Sequence, residues 1–170
     1  MHFYSTERVA IFIDGQHLHA LTKALGFDVD FKEFLKFVGG QCNLVRASYY
    51  TALPDTDENI SVKPLVDWLA YNGFTVVTKI ARTYTDENGH RRIKGRMDGE
   101  IIVDALEMAP RVNHILMIVG DGIYRRTIEA IQGKGVRVTV LSSIHAESAM
   151  VADELRRQAD QYIDIKDIAG

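Results

Sequence analysis

The chain has 170 residues, 46% of them hydrophobic, 25% charged and 9% aromatic, a composition that supports one globular core and excludes a disordered chain. Its formal net charge of −3 excludes bulk attraction of polyanions, so any contact with nucleic acid needs a local basic patch. One cysteine, Cys42, leaves no internal disulfide and no Cys-rich zinc site, which suits a reducing compartment and predicts a cytoplasmic protein. Apolar runs of only five residues, "VAIFI" and "ILMIV", predict neither export nor a membrane span.

In chain order, "VAIFID" is apolar, β-branched and bounded by Asp-Gly, which predicts a buried strand. "QHLHALTKAL" then has helical spacing up to Gly26. Asp30 is placed to cap a short helix through "FKEFLKFV"; a second strand, "LVRASYYTAL", and a long helix, "SVKPLVDWLAYNG", follow, with Pro64 expected in its first turn and Gly73 at its exit. "FTVVTKIA" is a third strand, and "ENGH" a turn into "RRIK". "DGEIIVDALEMA" reads as a helix ended by Pro110, before a fourth strand, "HILMIVG", and a helix through "IYRRTIEAIQ". A fifth strand, "VRVTVLS", a helix, "AMVADELRRQA", and a short extended piece, "YIDI", complete the chain. Buried strands alternating with helices predict a single three-layer α/β domain over residues 1–170, with a central parallel sheet of about five strands.

Open parallel sheets bind ligands outside the carboxyl ends of their strands. Asp14 ends the first strand and Asp121 follows the fourth. At about 100° per residue, Asp98 shares the apolar stripe of its helix with Ile102, Ala105 and Ala109, and a carboxylate on such a stripe is costly without a cation, a hydrogen bond or a metal. Asp104 flanks that stripe as a bridging or supporting acid, whereas Glu107 faces away. Taken singly, each acid has an ordinary role open to it as a cap, an Asx-turn or an ion pair. It is the convergence of three at one sheet edge that points to a site.

The residues that carry most of this reading, "VAIFIDGQHLHALTKALGFDVD", "KPLVDWLAYNG", "KGRMDGEIIVDALEMA" and "GDGIYRRTIEAIQGKGVRVTVLSS", resemble the NYN domain proteins of the LabA-like branch, relatives of PIN-domain ribonucleases, along essentially the whole chain. The resemblance implies a Rossmann-like, PIN-like fold and metal-dependent cleavage of RNA. By position it places the family acids on Asp14, Asp98, Asp104 and Asp121, with Asp14, Asp98 and Asp121 as ligands of Mg²⁺ or Mn²⁺ and a 5′-phosphate as product. Two features depart from the family motifs: His17 replaces the Asn of "IDGxN", and "VGDGIY" replaces "SGDGDF", so Ile123 stands where a carboxylate is usual and Val119 where a serine is. Fewer oxygen donors weaken a hard-cation site.

Substrate phosphate would be met by "HRRIKGR", which sets Arg91, Arg92, Lys94 and Arg96 just before Asp98, and by Arg125 and Arg126 after the Gly-Asp-Gly loop. Tyr124 is expected to stack on a base; His17 has open to it a contact with phosphate, the place of the missing donor or, first among these, an ordinary place on the helix surface, whereas Arg156 and Arg157 decorate the last helix. A haloacid dehalogenase phosphatase lacks its second Asp in "DGQ", a dinucleotide fold lacks G-x-G-x-x-G after the first strand, and His17 and His19 point to different helix faces, which disfavours zinc. Two readings stay open: a metal-dependent nuclease of single-stranded RNA, or a PIN-like RNA-binding or protein-interaction module without catalysis. A homodimer is compatible with either.

Overall fold

Val9 to Ile13 offers no polar residue to turn outward, and the segment becomes the strand β1 (Arg8–Asp14), buried on both faces at the middle of the sheet. The computed structural model describes residues 1–54 and 59–168, with the side chains of all these except 54, 59–61, 82–83 and 91–94. Asp14 leaves β1 directly into α1 (Gly15–Leu25), and Asp30 caps α2 (Phe31–Gly39) by accepting from the Glu33 N–H at 3.0 Å. Next come β2 (Asn43–Pro54), α3 (Asn59–Tyr71) and β3 (Thr75–Thr85). Pro64, expected in the first turn of α3, lies inside it, where its missing N–H removes one helical hydrogen bond. Gly73 makes the exit in the left-handed region at φ 94°.

The chain then turns back through β4 (Arg91–Lys94), enters α4 (Asp98–Met108) and continues as β5 (His114–Ile118), α5 (Arg125–Gln132) and β6 (Arg137–Ser142). It closes with α6 (Asp153–Gln158) and β7 (Gln161–Asp164). The strand order is β4-β3-β2-β1-β5-β6-β7; β4 pairs antiparallel with β3, and the other six strands run parallel. Two strands are thereby added to the expected five. "YIDI" does not end as a loose extension, because Thr139 to Ser142 of β6 pairs in register with Gln161 to Asp164. The last helix is shorter than the expected "AMVADELRRQA". The Val151 and Ala152 N–H groups bond the Ser143 and Gly120 carbonyls at 3.0 and 2.9 Å instead of one another's turn, and helix begins only at Asp153.

Helices cover both faces, making three layers. Ile101, Ala105 and Ala109 of the α4 segment pack with Ile128 and Ile131 of α5 and Leu155 of α6 against one face of the sheet. On the other, Leu18 and Leu21 of α1, Val38 of α2 and Leu69 of α3 are buried. No helix among the described residues is long and apolar enough to cross a membrane. The sheet grows one way from β1 to β2 and the other way from β1 to β5. Strand order therefore reverses between them, the position at which open parallel sheets bind ligands beyond their carboxyl ends. Asp14 ends one of these two strands and Asp121 lies three residues beyond the other.

Candidate active site

Asp14 is held by two elements at once, as the end of β1 and the cap of α1, where its side chain accepts from the His17 N–H at 3.3 Å. Burial raises its pKa. The backbone donors of His17 and Gln16 and the charge of Arg96 pull it down, and the nearby charge of Asp98 pushes it up. A buried carboxylate under that tension favours a cation beside it.

Asp121 sits after β5 in an Asx-type turn, accepting from the Ile123 N–H at 3.0 Å. Arg96 reaches across from the segment that enters α4 and bonds the Asp121 carboxylate through Nη2, while its Nε lies 3.7 Å from the carboxylate of Asp98. The Asp121 pKa is lowered, first by that backbone donor and then by Arg96. Asp98 opens α4 and contributes a negative charge at the helix start. The three acids expected to meet thus share one edge, and the guanidinium of Arg96 spans two of them.

Other expected site residues are placed differently. Tyr124 cannot stack on a base: it is 1% exposed, because Gly122–Tyr124 forms a single 3-10 turn that rolls the ring into the core under α4 and α5. His17 is turned away from solvent, its Nε2 2.7 Å from Ser142 Oγ and its ring filling the space a side chain at position 120 would need, so only glycine fits there. Burial lowers its pKa to about 4, with Asp121 opposing, and the ring is neutral near pH 7. It fastens α1 to the end of β6 rather than offering a cation to phosphate.

Asp104 lies six residues beyond Asp98 in α4, about 9 Å further along the helix, because α4 runs away from the carboxyl edge. It accepts from the Tyr50 hydroxyl at 2.7 Å and lines a cleft of about 750 Å³ with Arg46, Ser48, Thr75 and Arg111. Burial and Asp104 together push the Tyr50 pKa up. Arg125 bonds Glu129 at 2.8 Å and Gln158 at 3.4 Å, linking α5 to α6; Arg126, 70% exposed, lies 4.0 Å from Glu129. The side chains of Arg91, Arg92 and Lys94 lie outside the described residues.

One acid escaped the reading of the sequence. Glu154, in the first turn of α6, overhangs Gly122 so closely that any side chain at 122 would collide with its carboxylate. It stands beside the loop that lacks an acid at 123, whose Ile side chain faces solvent at 47% exposure. No signal in the sequence distinguished Glu154 from a surface helix residue.

As to a cation, no three His, Cys, Asp or Glu side chains among the described residues stand ready to hold one. In donor type alone the acids suit one, because they offer only carboxylate oxygens, the donor set of Mg²⁺ and Mn²⁺.

Residues 8–166 match the NYN domain family model. The chain belongs to the NYN domain family. It is 32% identical, over 97% of its own length and 87% of the relative's, to the low amplitude and bright protein LabA of Synechococcus elongatus. A crystal structure of a Vibrio parahaemolyticus protein of unknown function superposes with a TM-score of 0.75 at 24% identity, covering 97% of this chain and 96% of that one. That likeness concerns the fold. NYN membership points to a nuclease-like, RNA-related function.

Proposed function

We propose that this NYN domain is a divalent-metal-dependent ribonuclease that hydrolyses phosphodiester bonds of single-stranded RNA at the Asp14, Asp98 and Asp121 cluster. The observation that carries the reading is the meeting of three carboxylates from separate elements at the strand-order reversal, with the Arg96 guanidinium paired to two of them. Asp14, Asp98 and Asp121 would hold Mg²⁺ or Mn²⁺. When bound, such a cation polarises a phosphoryl oxygen and lowers the pKa of water.

The chain's own residues do the rest. Arg96, 64% exposed, is free to leave its carboxylates and meet the substrate phosphate, and Arg126 can bind the backbone one turn away. Asp14, fixed as a cap, holds its carboxylate still while the exposed Asp121 adjusts. Water attack at phosphorus forms one P–O bond and breaks the bond to the 3′ oxygen, leaving a 5′-phosphate.

Single-stranded RNA should be cleaved with Mn²⁺ or Mg²⁺, and cleavage should vanish in Asp14→Asn and in Asp98→Asn. Undiminished cleavage by either variant, or RNA binding with no cleavage under any divalent ion, would sink the proposal. A second reading, an RNA-binding NYN module without catalysis, draws support from the solvent-facing Ile123 and the absence of a three-donor group among the described residues. It forecasts that last result.

A further inference from the structure

Strand β2 turns Arg46, Ser48 and Tyr50, at alternate positions, to the face of the sheet that α4 covers. Thr75 and Val77 of β3 stand beside Ser48 and Tyr50 in register. Asp104, Glu107 and Met108, on one side of α4, form the facing wall of the cleft of about 750 Å³, a volume within the range of about 300–1,000 Å³ usual for small-molecule sites. The bond from the Tyr50 hydroxyl to Asp104, at 2.7 Å, ties floor to wall. One helical turn nearer the acid edge, Lys79 pairs with Glu100 at 3.2 Å and bridges β3 to α4 across that end.

The opposite end is basic. Arg46 and Arg111 line it, and the Arg8 Nε donates to the Arg111 carbonyl at 2.9 Å, which brings a third guanidinium beside Arg111. All three side chains are exposed, and none is paired with a carboxylate among the described residues; Arg46 reaches only the Thr75 hydroxyl, at 3.4 Å. In a chain of net charge −3, three unneutralised arginines at one mouth repel one another and attract an anion. Further in, Asp104 and Glu107 present carboxylate oxygens, which accept from donors and repel phosphate. A phosphodiester chain threaded along the cleft would meet that repulsion. A short ligand with phosphate at one end and donors at the other would not.

We propose that this cleft is a second binding site, for a nucleoside 5′-monophosphate. The phosphate lies between Arg46 and Arg111, the donor groups of the nucleoside meet Asp104 and Glu107, and its apolar surface rests on Val77 and Met108. Tyr50, buried beneath, holds Asp104 ready to accept. The site is separate from the Asp14, Asp98 and Asp121 edge and does not depend on the ribonuclease reading.

The test is calorimetric titration in EDTA with the 5′-monophosphates of adenosine, guanosine, cytidine and uridine, and with inorganic phosphate. At least one nucleotide should bind saturably, and Arg46→Ala and Arg111→Ala should each weaken it by about tenfold or more. Asp104→Asn should weaken the nucleotide without weakening inorganic phosphate. Because both arginines are exposed, their variants should keep the wild-type Tm, which separates lost binding from lost fold. An unstructured RNA decamer without terminal phosphates should fail to displace the nucleotide. No nucleotide binding, or binding indifferent to the arginines or to Asp104, overturns the inference. Displacement by the decamer overturns it as well and makes the cleft an RNA groove. Each of these failures leaves the ribonuclease proposal standing, because that proposal is read from cleavage with a divalent ion.

Discussion

Replacing Arg96 by alanine should move metal binding and RNA binding in opposite directions. Its guanidinium occupies the Asp98 and Asp121 carboxylates that a cation would need. At 3.7 Å the pair with Asp98 has a Coulomb energy of about 1 kcal/mol in water and about 4 kcal/mol at an effective dielectric of 20. With Arg96 64% exposed, solvent screening favours the lower figure, and measured exposed pairs give about 0.2–1 kcal/mol. Taking about 1 kcal/mol for the pairs together, a cation no longer competing with Arg96 gains about fivefold in affinity. Titration of metal-free Arg96→Ala with Mn²⁺ should show that gain, shrinking as salt is raised. The same variant should bind single-stranded RNA more weakly, its salt dependence shallower by about 0.7 in log–log slope for one lost phosphate contact. Mn²⁺ affinity that is unchanged or lower in Arg96→Ala would refute the idea that the guanidinium stands in the cation's place.

Two further outcomes follow from the same edge. His17 is neutral in the fold, with its pKa lowered to about 4 from 6.5, so the unfolded chain takes up the proton first as pH falls. Its contribution to stability is complete above about 6.5 and is lost between there and about 4; His17→Gln should flatten the fall in Tm across that window, and an unaltered slope would show that the ring is not desolvated. Ile123→Asp adds a carboxylate beside Asp121 at a solvent-facing position and should raise Mn²⁺ affinity several-fold; calorimetry with no gain would remove position 123 from the ligand set.

The parallel layers and the two aspartates at strand ends were legible because both rest on short-range signals. Unbroken apolar runs such as "VAIFI" have no other use than a doubly covered strand, and the residue after such a run must lie at a sheet end. Asp98 was legible through helical spacing. The misplacements of Tyr124 and His17 have a different origin. Whether the residues after Gly-Asp-Gly begin a helix or a 3-10 turn decides the direction of the Tyr124 ring, and composition says nothing about it. His17 meets Ser142 across 125 positions in sequence, and Glu154 meets Gly122 through the docking of α6. Such pairings are products of tertiary packing alone. Asp104 belongs with these: periodicity assigned its face correctly beside the stripe, yet the distance it is carried along α4 depends on the direction of that helix relative to the sheet.

The hydrogen bond from Ala152 to the Gly120 carbonyl gives the acid loop a late keystone. Chains fold as they are made, from the N-terminus onward, and Asp14, in the first strand, has to wait for the residues around 152 before the loop bearing Asp121 is braced. A ribosome-bound fragment ending before α6 would hold every aspartate of the cluster, but its Asp121 loop would lack this brace. On the ribonuclease proposal, this order of assembly would leave the acid edge unbraced until the residues around 152 have been made.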